Sequence, residues 1–255
     1  IRFGIPICQD IWDPEVCECL KESGAEIIIS INGSPYNLYK MEKRVNTVVS
    51  RAVENEIPFI YLNMVGGQDE LVFDGGSFAV NQNGGLVCQL PMFETFDGVI
   101  EVENKSASWK LNSKNLFKDQ SSYESLYSAI LLSLRDYIYK NGFTKVVFGL
   151  SGGIDSALAA ALSVDAIGYE NVNCFMLPSK FTSQNSNDDA VDLANRLNKI
   201  ALDYKTRRYT CVSAIQTALS ILQSGVIDRE NKSELKKLRE AMERLEGEPS
   251  GVIDI

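Results

Sequence analysis

Two short runs combine residue types and spacings that could do chemistry. The first is Val146-Val-Phe-Gly-Leu-Ser-Gly-Gly-Ile-Asp-Ser-Ala157. An apolar strand is expected to end at Gly149 and Leu150. Gly152 and Gly153 then permit a tight turn and let the backbone approach a ligand closely. A helix is expected to start at once, at Asp155, so its free N–H groups and positive dipole end would face that ligand. Ser151 and Ser156 add hydroxyl donors, and Asp155 can hold a metal ion against phosphate oxygens. The run is not GxxxxGK[ST], and it lacks the lysine that reaches β- and γ-phosphates. That pattern fits a cradle for pyrophosphate and attack at the α-phosphate. A lone Ser-Gly-Gly would be only a capped turn, but here all of S-G-G-x-D-S falls between a strand and a helix. The second run is Gly4-Ile-Pro-Ile-Cys-Gln-Asp-Ile-Trp12. It puts Cys8 at a strand end, able to aim its sulfur into a pocket at the sheet edge. A cysteine there is a nucleophile only if it ionises or meets a base; otherwise it is packing.

The elements that must position these runs follow from periodicity and punctuation. Ile1 to Ile7 reads as a short buried strand. A helix from Pro14 to Ser23 is expected, with Asp13 as N-cap, Pro14 at its first position and Gly24 as stop. Glu26 to Ile31 and Pro58 to Asn63 read as strands, and Tyr39 to Asn55 as a helix with exposed charges between them. Val65 to Gly76, with four glycines and three acids, reads as a loop. Gln82-Asn-Gly-Gly85 signals a hairpin between Ser77–Asn81 and Leu86–Leu90. The polar stretch from Lys105 to Gln120 is taken as a linker. Beyond it are expected a helix over Ser122–Asn141, strands over Thr144–Leu150 and Val172–Leu177, and a helix from Asp155 to Ile167. A polar loop over Thr182–Asp189 then leads into a helix ending near Leu197, and a charged helix is expected over Asp228–Glu248. The second half is thus β-α-β-α, a parallel sheet with covering helices. The chain begins at Ile1 within a strand-like run and is expected to be a fragment of a longer protein.

Composition narrows the chemistry. The 255 residues carry no histidine, which excludes Ser-His-Asp or Cys-His catalysis and His-ligated metals from this chain. A net charge of −9 argues against a nucleic-acid or anionic-membrane surface. Six cysteines stand at positions 8, 17, 19, 88, 174 and 211. No pair has CxxC spacing, so a thiolate zinc cluster or disulfide framework is not expected and a reducing cytoplasm is. All but Cys8 are assigned to packing, Cys17 and Cys19 to different faces of one helix. No apolar run approaches the ~20 residues that span a bilayer.

The S-G-G-x-D-S run resembles the N-type ATP pyrophosphatase family, which makes adenylated intermediates. The segments Gly24-Ala-Glu-Ile, Asn32-Gly-Ser-Pro-Tyr36, Lys40 to Arg44 and Gly66 to Ser77 follow Cys8 in order. Together they resemble the amidase domain of glutamine-dependent NAD synthetases, within the nitrilase superfamily. The resemblance covers roughly residues 1 to 197. It implies an α/β chain: the C-terminal part of a nitrilase-like αββα sandwich over 1–104, a linker over 105–120, and over 121–255 the N-terminal part of a Rossmann-like ATP pyrophosphatase domain. It implies that Cys8 attacks the glutamine side-chain amide and releases ammonia, and that Ser34 and Lys40 contact glutamine. It implies that Gly149, Leu150, Ser151, Gly152, Gly153, Ile154, Asp155 and Ser156 bind ATP, with Asp155 on Mg2+. The expected reaction is ATP-dependent amidation of deamido-NAD, with AMP and pyrophosphate released. The expected partners are those small molecules, with no nucleic acid or membrane, in a homo-oligomer.

The resemblance also has departures. The family's glutamate base and lysine precede the cysteine and are not matched here, and Gln9 stands where an acid is expected. Glu230-Asn231 begins like a family ATP-binding segment, but Lys232-Ser-Glu-Leu does not continue it. Ser179 to Ala190 reads either as the polar loop of such a site or as a solvated loop with a helix cap. Two other readings remain open at this point. One is another S-G-G-x-D-S amidotransferase, GMP-synthetase-like or tRNA-modifying; the other is a catalytically incomplete ATP- or glutamine-binding fragment.

Overall fold

Asp13 and Pro14 show how locally the first elements are determined. Pro14 opens α1 (Pro14–Glu22), where its missing N–H costs nothing. The Asp13 carboxylate accepts from the Glu15 amide at 3.1 Å, a cap that contributes about 1 kcal/mol. Gly24, at φ 91°, lets the chain turn out of the helix. It then enters β2 (Ile27–Asn32), which pairs in parallel with β1 (Phe3–Gly4). In this computed structural model, the described residues are 1–105, 108–118, 120–176 and 183–200, with only the backbone described at 105 and 198–200. The expected helix over Asp228–Glu248 and Cys211 lie outside them.

Helix α2 (Lys40–Glu54) returns the chain to β3 (Phe59–Asn63), parallel to β2. The run expected to be a loop is instead a hairpin of β4 (Val65–Gln68) and β5 (Leu71–Asp74). Its glycines hid the strands, since Gly weakens strand propensity. Strands β6 (Phe78–Val80) and β7 (Leu86–Gln89) form the hairpin that Gly84 and Gly85 signalled, and complete a sheet of order β1-β2-β3-β6-β7. Strand alternation sends Ile28, Phe59, Tyr61, Phe78 and Val80 to the helix-covered face, where they pack with Ile11, Cys17, Val48 and Ala52. Each such large side chain contributes roughly 1.5–3 kcal/mol on burial.

Three expectations are corrected here. Ile1 to Ile7 is not a buried strand: only Gly4 and Pro6 are buried, and the isoleucines at 1, 5 and 7 are exposed. An edge strand with one covered face alternates, whereas a doubly covered one does not. The stretch taken as a linker holds half of a second hairpin, β8 (Glu101–Lys105) with β9 (Ser108–Asn112). Its Leu111 is fully buried beside Ile27, Ala79 and Cys88. Polar, alternating strands look like linker when read by composition alone. Finally, the packing division falls between Phe143 and Thr144, not within 105–120. Helix α3 (Ser122–Lys140), capped reciprocally by Ser121 and Glu124, packs on the first unit. The Gly67 amide donates to Asp136 at 2.8 Å and Lys140 Nζ donates to the Gly67 carbonyl.

In the second unit β10 (Val146–Gly149) pairs in parallel with β11 (Val172–Phe175). Helix α4 (Ile154–Ile167) makes the crossover and α5 (Gln184–Ile200) follows. Leu150, Ala160, Val164, Ala190 and Leu197 form its core. The β-α-β-α reading of this half therefore agrees with the structure. The described residues contain no helix long and apolar enough to cross a membrane.

Candidate functional sites

Cys8 follows β1 and opens a five-residue 3-10 turn, Cys8–Trp12. Its φ of 49° lies in the left-handed region, which costs a residue with a Cβ on the order of 1–3 kcal/mol unless the surroundings hold it. They do. Ile7 bridges Ile31 of β2, the Ile7 amide donates to Asp10 Oδ2 at 2.8 Å, and the Asp10 amide donates back to the Ile7 carbonyl at 3.1 Å. Arg51 of α2 donates to the Ile11 carbonyl at 3.2 Å. The half-buried sulfur thus sits on a sharp elbow beyond the C-terminal end of a parallel strand, the usual ligand end of such sheets.

Behind this elbow the ends of β2, β3 and β5 meet α2 in a buried polar network. Arg44 lies on the buried stripe of α2 with Val48 and Ala52, and its side chain is 0% exposed. One terminal guanidinium nitrogen grips both Asp74 oxygens at 2.9 and 2.7 Å. The other donates to the Ser34 and Pro35 carbonyls at 2.8 and 3.1 Å. Its Nε donates to Ser34 Oγ at 3.2 Å. Asn63 completes the ring: its Oδ1 accepts from the Ser34 amide at 3.0 Å, and its Nδ2 reaches Asp74 Oδ1 and the carbonyls of Ser34 and Gly75 at 3.2–3.3 Å. Tyr61 lies within electrostatic reach of Arg44, Ser34 and Cys8, and burial pushes its phenol above the usual range. It therefore stays a neutral donor at physiological pH.

Of the residues expected on the amidase side, Ser34 and Cys8 share Tyr61 as a neighbour. Lys40 is half-buried at the first position of α2, where the helix dipole disfavours a cation. Arg44 and Asp74 were missed, because the helix was read as carrying exposed charges. The signal was available: Arg44 falls four residues before Val48 and eight before Ala52, on the core stripe. A charge there requires a buried partner.

The second site stands on unit two. Gly152 takes φ 77°, and a Cβ there would lie 2.2 Å from the Ser186 carbonyl oxygen at the start of α5. Position 152 accepts no side chain. Ser151 Oγ and Ser156 Oγ bond each other at 3.0 Å, Ser156 Oγ reaches the Ser151 amide at 3.2 Å, and it donates to the Gly153 carbonyl at 3.0 Å. Leu150 anchors the turn in the core, and Asp155 projects from the exposed first turn of α4. The amides of that turn have no intrahelical acceptor. Of the polar run Ser179 to Ala190, residues 179–182 lie outside the described residues. The remainder contributes Ser186 behind Gly152, and Ser183 Oγ caps the Ser186 amide at 3.2 Å. Among the described residues no three His, Cys, Asp or Glu side chains converge as a metal cage.

Comparison with known proteins matches both units of the chain. The carbon-nitrogen hydrolase family model matches residues 1–142, and the NAD synthase model matches residues 126–236. Both claim most of α3. The chain is 46% identical over 197 residues to the glutamine-dependent NAD(+) synthetase of Rhodobacter capsulatus, covering 77% of this chain and 36% of that protein. It is 40% identical over 226 residues to that of Aquifex aeolicus, covering 77% and 40%. The solved glutamine-dependent NAD+ synthetase of Acinetobacter baumannii, in complex with adenosine diphosphate, superposes with a TM-score of 0.71 at 30% identity, over 92% of this chain and 49% of that one. The chain therefore spans between about a third and a half of the relatives it matches. With more than half of its length matched, and the Cys8 elbow inside the matched region, the chain belongs to the carbon-nitrogen hydrolase family.

Proposed function

We propose that the chain contributes two linked activities to a glutamine-dependent NAD synthetase: an amidase that frees ammonia and a ligase that uses it. The observation that carries this reading is the occurrence, in one chain, of a strained cysteine elbow and of an S-G-G-x-D-S turn that excludes a side chain at position 152. In this reading the first unit, Ile1–Phe143, is the nitrilase-like αββα amidase, and the chain from Thr144 onward belongs to a Rossmann-like synthetase domain. The protein acts in the cytoplasm as a homo-oligomer.

Cys8 Sγ attacks the side-chain carbonyl carbon of glutamine. The C–N bond breaks, ammonia leaves, and a thioester remains for water to hydrolyse to glutamate. Ser34 and Lys40 hold the glutamine. On the other unit, the amides of the first turn of α4 and the Ser151 and Ser156 hydroxyls cradle the ATP phosphates from Gly149 to Ser156. The carboxylate of deamido-NAD attacks the α-phosphorus and pyrophosphate leaves. Ammonia then attacks the acyl carbon, expelling AMP and giving the amide of NAD. Asp155 is exposed at the turn and fits Mg2+, which typically takes one or two carboxylates and completes its shell with phosphate oxygens and water. The ion would neutralise phosphate charge. A single enzyme needs both sites, whereas a GMP-synthetase-like reading leaves the carbon-nitrogen hydrolase match unexplained.

The test supplies the intact protein with deamido-NAD, ATP and magnesium, and either glutamine or ammonium. Cys8→Ala is expected to lower glutamine-driven NAD formation by at least about 1,000-fold, because the nucleophile is gone. The ammonium-driven rate should stay unchanged. Loss of both rates in a folded variant overturns the division of labour.

A further inference from the structure

We propose that the buried Arg44–Asp74 pair is a positioning device for the amide-donor site, fixing the Ser34–Pro35 turn and dictating which way the Ser34 hydroxyl donates. This deepens the amidase reading and rests on it. The argument begins with donor arithmetic. Arginine has N–H donors and no acceptor. Because Arg44 Nε donates to Ser34 Oγ at 3.2 Å, the Ser34 hydrogen must point away from the guanidinium. Tyr61, whose ring is held by stacking on Phe78 with centroids 5.0 Å apart, is a neighbour of both Ser34 and Cys8. The Ser34 backbone is fixed as well. Its carbonyl accepts from Arg44 at 2.8 Å and from Asn63 at 3.3 Å, and its amide donates to Asn63 at 3.0 Å. The Ser34 backbone and hydroxyl are therefore fixed by Arg44 and Asn63 beside Tyr61, the neighbour that Ser34 shares with Cys8.

A pair kept only for stability would be a poor choice. Burying both charges costs several kcal/mol of desolvation, and apolar replacements of similar volume are often neutral or stabilising. What the pair supplies and apolar side chains do not is a fork whose nitrogens each seek a set acceptor. It ties four separate chain segments, the β2 exit, α2, the β3 end and the β5 end, into one network around Ser34.

The experiment uses the intact enzyme and the double variant Arg44→Met with Asp74→Leu, which removes both charges together and leaves no unpaired charge. Glutamine-driven and ammonium-driven NAD formation and the thermal midpoint are measured together. The expected result is a folded protein whose ammonium-driven rate is retained. Its kcat/KM for glutamine should fall on the order of 10–100-fold, mainly through KM, as misplacement of a contact group does. A folded double variant with an unchanged glutamine reaction overturns the inference. Should it not fold, Arg44→Lys decides by the same criterion: it keeps a cation for Asp74 but loses the fork, and unchanged glutamine kinetics in it overturn the inference. A parent enzyme that makes NAD from ammonium and releases no ammonia from glutamine fails differently, because it removes the amidase reading itself.

Discussion

Cys8 and Cys17 have the same side chain and opposite prospects. Cys8 is half-buried on an elbow. Cys17 is fully buried on α1, and that burial raises its thiol from 9.0 to about 11, with Arg51 pulling the other way. A neutral thiol is a poor nucleophile, so iodoacetamide at pH 8 should label the exposed Cys19 and leave Cys17 unmodified in the folded protein. Fast labelling of Cys17 would contradict its burial. The raised value also carries a sign for stability. Below 9.0 both folded and unfolded forms hold the proton and the contribution is intact. Between 9.0 and about 11 the unfolded thiol ionises while the folded one resists, so stability falls as pH rises through that window. A Cys17→Ala variant should show a shallower decline in its denaturant midpoint over that range. Arg44 teaches the complementary lesson. Removing one partner of such a pair costs about 3–5 kcal/mol, so single truncations would report folding rather than function.

At the scale of elements, the phosphate turn is the most constrained piece of backbone. Gly152→Ala would force a Cβ into the Ser186 carbonyl at a positive φ. Both glutamine-driven and ammonium-driven NAD formation are expected to fall roughly 100-fold as the cradle shifts. Gly153→Ala should be milder, since its φ is −86° and the nearest atom is Ser151 Oγ at 3.3 Å. Equal losses from the two variants would mean that Gly152 is not chosen for space. The elements that local signals announce were legible: Asp13-Pro14 and Ser121 with Glu124 mark helix starts, and Gly84 marks a hairpin. Strands β4, β5, β8 and β9 were not, because glycine-rich or polar strands gain their stability from pairing and packing rather than from local propensity.

For the whole molecule, the proposed chemistries stand on different packing units, divided after Phe143. They should therefore separate by mutation. Asp155→Asn is expected to abolish pyrophosphate release with either nitrogen source, while hydrolysis of glutamine to glutamate persists. Continued pyrophosphate release would remove Asp155 from the metal role. The sequence by itself determined the two motifs, the helices and parallel strands that carry them, and the exclusion of histidine chemistry, because these depend on residue identity and short-range spacing. Only the tertiary structure decided that α3 packs with the first unit and that the supposed linker is part of a sheet. It alone joined Arg44 to Asp74, 30 residues apart, around Ser34. A buried charge and its partner are chosen by desolvation, and that cost exists only once the chain has closed over them.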